Sequence, residues 1–143
     1  MKAYAPLLLI IIRVIRIRLS LIMKRTLANT FGIVFLIVGL LGFVSNPLVG
    51  ENGFFYTDAT HNVIHILFGL VLLAVGIWAV EQAGSVMLVS GIIYILLAII
   101  GLFTSNVLGF LQVNTPDNWL HVLLGIGLIW AGASGEDMVM ENR

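Results

Sequence analysis

The chain has 143 residues, 60% of them hydrophobic and 10% charged, and its seven basic and seven acidic side chains cancel to a formal net charge of zero. Such a composition lies outside the range of soluble domains, reads as an integral membrane protein, and offers no nucleic-acid surface. There is no cysteine, which excludes disulfides, thiol catalysis and thiolate metal sites.

Residues 1–22 stand apart as an N-terminal arm. The apolar run Ala5 to Ile12 is short and contains Pro6, and Arg13, Arg16 and Arg18 interrupt the apolar residues after it. It is too short to span a bilayer and lacks the small-residue cleavage site of a signal peptide. The three arginines share no single helical face, which argues against an amphipathic surface helix. A simpler reading starts the natural chain at Met23, just before Lys24, Arg25 and a good first helix, and leaves residues 1–22 as upstream translated sequence or an added arm.

Four apolar segments come next, at about Leu27 to Leu48, His61 to Val80, Val86 to Ser105 and Asn118 to Ala133. Each approaches the ~20 residues that cross a ~30 Å hydrocarbon layer. Runs of this length are helices rather than barrel strands, which alternate over ~10 residues, so the expected fold is all-α, a four-helix transmembrane domain over residues 23–133. Lys24 and Arg25 precede the first span, whereas the loops after the first and third spans contain no Lys or Arg. The positive-inside rule therefore puts both termini in the cytoplasm, including the acidic tail, residues 134–143. Tyr56 and Trp119 then fall at the outer interface, and Trp78 and Trp130 near the inner one.

The four spans read as two copies of one hairpin, residues 27–80 and 86–133. Gly32, Phe35, Gly39, Gly42 and Asn46 align with Gly91, Tyr94, Ala98, Gly101 and Ser105, and Asn62, His65, Gly69, Leu72 and Gly76 align with Asn118, His121, Gly125, Leu128 and Gly132. The shared positions recur at helical spacing and mark one face of each helix. Both hairpins start on the cytoplasmic side, so they are expected as parallel repeats about an axis along the membrane normal. Small residues permit close backbone approach, and polar side chains in a span turn inward to find partners. The phrases HNVIHILFG (His61 to Gly69) and DNWLHVLLG (Asp117 to Gly125) thus predict a polar cluster of Asn62, His65, Asn118 and His121 near the outer surface, with Asn46 and Ser105 at the same level. Thr115, Pro116 and Asp117 make a strong helix start.

Three chemistries suit such a cluster. The asparagines and histidines can satisfy one another and nearby helix-end carbonyls and so fix helix register. His65 and His121 can serve as axial ligands of a b-type haem. His61, His65, His121 and Asp117, with Asp58 in reach, can offer nitrogen and oxygen ligands to zinc or a similar divalent ion. The spans lack the charged shell that haem binding or catalysis needs, so the expectation is a non-enzymatic protein with no cofactor. No ionisable group lies at the midplane, which weakens a transport role.

The doubled N-x-x-H-x-x-x-G motif, with Gly32, Gly39 and Gly42 of the first helix, resembles the bacterial four-helix membrane family catalogued as domain of unknown function 4383. The resemblance covers about Thr26 to Ala133 and extends to Val113 and Asn114 before the fourth helix; it departs in the first outer loop, GENGFFYTDATHN. It implies a fold and a bacterial inner-membrane address but no activity. The expected role is that of an accessory or assembly subunit, contacting the lipid bilayer and other membrane proteins through its Leu, Ile and Val surface.

Overall fold

The computed structural model describes residues 5–134, so the acidic tail from residue 135 onward and the first four residues of the arm lie outside the described residues. Four helices, α1 (Ala5–Leu41), α2 (Ala59–Trp78), α3 (Val80–Gly101) and α4 (Thr115–Ala133), are joined by loops and by a two-stranded hairpin, β1 (Asn106–Val107) and β2 (Leu111–Gln112). Of these, α2 and α3 are by length and composition apolar enough to cross a membrane.

Local chemistry sets the helix ends. Asp58 caps α2 by accepting the His61 N–H at 2.8 Å, and Asn114 caps α4 by accepting the Asp117 N–H at 3.0 Å, with Pro116 in the first turn. The cap of α4 is thus Asn114, just ahead of the expected Thr115-Pro116-Asp117 start. Helix α1 stops at Leu41 rather than Leu48 because the Asn46 amide donates to the Leu41, Val44 and Val49 carbonyls at 2.7–2.9 Å and holds the chain in a turn. Between α2 and α3 only Ala79 is non-helical, with φ −141°, so α3 begins six residues before the expected Val86. At the opposite end α1 runs unbroken through the arm. Residues 5–22 belong to the same 37-residue helix, about 55 Å long at ~1.5 Å per residue, and no structural boundary falls at Met23.

Helix α1 packs on α2, and α3 on α4, through small residues. A methyl group on Gly91 would stand 2.7 Å from the Gly125 carbonyl oxygen, so only glycine permits this backbone approach, and the pair is held by close van der Waals contact. Between the two pairs lies a core in which Phe35, Leu72, Met87, Tyr94 and Leu128 are all buried. A smaller cluster of Val107, Leu111 and Val113 packs on Ile64 and Leu97 and fastens the β-hairpin over the loop end of the bundle. The hairpin turn places Leu108 at φ 54° and Gly109 at φ 82°, left-handed values that glycine takes freely and leucine takes only at a cost.

Candidate metal centre

Side chains from the first turns of α2 and α4 converge beneath the β-hairpin, with the His121 ring 5.3 Å from that of His61 and 6.2 Å from that of His65. His61 and His65 are four residues apart on α2, and Asp117 and His121 four apart on α4, so each pair shares a helical face. All four are at most 2% exposed. Each histidine offers a ring nitrogen, and these three atoms lie within 4.8 Å of one another. The Asp117 Oδ2 carboxylate oxygen stands 4.0 Å from His61 Nε2 and 3.8 Å from His121 Nε2. An ion at Zn–N distances of about 2.0–2.1 Å sets tetrahedral ligand atoms about 3.4 Å apart, so each side chain needs to close by less than about 1 Å.

The hydrogen-bond ledger of this cluster is strongly unbalanced. Both ring nitrogens of His65, Nδ1 of His121, both Asp117 carboxylate oxygens and the Tyr94 hydroxyl are buried without a hydrogen-bond partner in the protein. A buried polar group left unpaired costs about 1–3 kcal/mol, more if charged, and such groups together indicate an ion or water that binds them. His61 is the exception. Its Nδ1–H donates to the Gln112 carbonyl at 3.1 Å, a bond that fixes the tautomer and leaves the Nε2 lone pair facing the cluster. This outer hydrogen bond is the usual way a metal-ligating histidine is oriented.

Beside the histidines is a cavity of ≈ 10 Å³ lined by His61, His65, His121, Tyr94 and apolar side chains that include Val107 and Leu111. It has room for about one water-sized body and none for a porphyrin. Two aromatic rings pin the histidines edge-on: Phe35 packs on His65 at 5.6 Å and 73°, and Tyr94 on His121 at 5.1 Å and 88°.

The other candidate polar residues divide between this region and the loops. Asn62 and Asn118 are buried at helix contacts, where each amide fills the space that a methyl group on Gly42 or Gly101 would need. Asn118 Nδ2 donates to the Gly101 carbonyl at 2.7 Å. Asn46 and Ser105 do not join the cluster: Asn46 organises the α1–α2 loop, and Ser105 is exposed, its carbonyl accepting the Val113 N–H at 2.9 Å. Asn114 joins the two loops, since its amide donates to the Phe54 carbonyl at 2.9 Å and accepts the Tyr56 N–H at 3.3 Å. Sequence reasoning missed Tyr94 and the Gln112 carbonyl. A phenol in the middle of an apolar helix signals the first; nothing local signals the second.

The family model of a domain of unknown function (DUF4383) matches residues 25–134 of the chain. No curated protein and no solved structure matches it.

Proposed function

The chain belongs to this family of unknown function, and from that premise we propose that it is a four-span integral membrane protein that holds one first-row divalent transition metal near its outer face. The ligands are His61, His65 and His121, with Asp117 as the fourth donor. One observation carries the reading: three buried histidines converge within 4.8 Å beside a buried carboxylate whose two oxygens accept no hydrogen bond from the protein. Nitrogen and oxygen donors without thiolate suit zinc and its first-row neighbours.

The two hairpins are parallel repeats with both termini cytoplasmic. Matched contacts support the repeat: Gly42 against Asn62 and Gly101 against Asn118, Phe35 on His65 and Tyr94 on His121, and Asp58 and Asn114 as caps. His61 and Asp117 occupy matched positions yet differ, so each half supplies what the other lacks. The exposed Leu, Ile and Val of α1 to α3 face lipid or neighbouring membrane subunits.

The test is metal analysis of the detergent-purified full chain after dialysis against Zn²⁺. One equivalent is expected in the parent and none in the double variant His65→Ala, His121→Ala. A parent that retains no metal above the variant's level overturns the reading.

A further inference from the structure

Once a metal dication is placed in this cluster, its charge is only half balanced. The three imidazoles bind as neutral ligands, and Asp117 is the only buried carboxylate among the described residues. Asp58 is half-buried and its Oδ1 is engaged by the His61 N–H. The remaining positive charge would sit in a place without solvent, which is costly unless a further anion or a polarisable oxygen meets it.

The structure provides both a place and a donor for such a group. The water-sized cavity is walled by the three histidines and by hairpin side chains, and Asp117 is not among its lining residues. An ion drawn between the histidine nitrogens and the Asp117 carboxylate therefore has a free side, and that side faces the cavity. Tyr94 lines the same cavity, and its hydroxyl is buried without a partner. A phenol can donate one hydrogen bond and accept others, so it suits a small electron-rich ligand on the ion.

We infer, resting on the metal reading above, that the centre is open: one coordination position faces the cavity and carries a water or a small monatomic anion, to which the Tyr94 hydroxyl donates a hydrogen bond. Exchange at this position is a simple substitution in which the anion forms its bond to the metal as the water leaves. With His61, His65, His121 and Asp117 as the protein donors, this exchangeable group is the fifth ligand of the ion. The β-hairpin limits which ligands enter. Val107 and Leu111, at most 4% exposed, leave space for one atom and exclude a longer anion.

The experiment uses the full chain loaded with Co²⁺ in detergent, with fluoride and thiocyanate as probes and the visible Co²⁺ spectrum and the ¹⁹F line width as readouts. Fluoride should perturb the spectrum with saturation at one per ion, and thiocyanate should not. Tyr94→Phe should take up the same amount of Co²⁺ and bind fluoride about tenfold more weakly, the worth of one hydrogen bond. Leu111→Ala, which enlarges the cavity without touching Tyr94, should admit thiocyanate. A spectrum indifferent to fluoride, or equal fluoride affinity in Tyr94→Phe, overturns the inference while leaving the metal reading intact. Thiocyanate binding to the parent as tight as fluoride overturns the size limit. A parent that takes up no Co²⁺ overturns the metal reading and this inference with it.

Discussion

Replacing Gly101 with alanine puts a methyl group where the Asn118 amide oxygen stands, and the amide cannot yield freely because its Nδ2 donates to the Gly101 carbonyl at 2.7 Å. Asn118 is 5% exposed, so an amide pushed out of this slot leaves buried polar groups unpaired, at about 1–3 kcal/mol. Forcing α3 and α4 apart instead overpacks the contact at a similar cost of about 1–3 kcal/mol. The expected loss for Gly101→Ala is therefore about 1–3 kcal/mol by either route, read from denaturant unfolding in detergent by far-UV circular dichroism. Asn118→Ala removes the obstacle, so Gly101→Ala should be milder in that background, with a coupling of about 1–3 kcal/mol across the double-mutant cycle. His121 follows Asn118 by one turn of α4, so the single Gly101→Ala change should also weaken metal binding. Additive effects of the two substitutions on stability would refute the steric argument.

Other consequences are equally open to measurement. Asp117→Asn should weaken metal binding by at least about 100-fold in a chelator competition, the upper end of what loss of an outer hydrogen-bond partner costs, yet leave the metal-free protein as stable as the parent or more so, because it removes a buried carboxylate that accepts no hydrogen bond. Protons and metal compete for the same side-chain atoms, so acid should release the ion while the protein takes up protons in its place; isothermal titration in buffers of different ionisation heat counts those protons. Arg25 Nε and Nη2 donate to the Gly76 and Ile77 carbonyls at 3.1 and 3.2 Å and so cap the end of α2. Arg25→Ala should cost about 0.5–1 kcal/mol in the same unfolding assay, and Arg25→Lys should recover part of it, since a point charge still meets the helix dipole.

Much of the architecture is legible in the residues themselves. Long apolar runs broken by loop phrases force the backbone to satisfy itself, which made the chain helical, with four helices, and the doubled N-x-x-H-x-x-x-G motif identified the family. Helix ends were less legible because side chains reached from outside the periodic pattern: Asn46 drew in the Leu41 carbonyl and ended α1 early. The ligand candidates His61, His65, His121 and Asp117 were readable as residue types at i, i+4 spacing, but their convergence was not. The unmatched His61 turns inward because the Gln112 carbonyl, 51 residues away, holds its ring. That carbonyl is in place because a two-residue strand pairing, Asn106 with Gln112 and Val107 with Leu111, folds the loop back over the bundle. Periodicity reports only which side chains share a face of one element. Which faces meet, and what stands opposite Tyr94 or Asp117, is decided by the packing of helices distant in sequence, so the tertiary structure alone determined the side-chain cluster and its cavity.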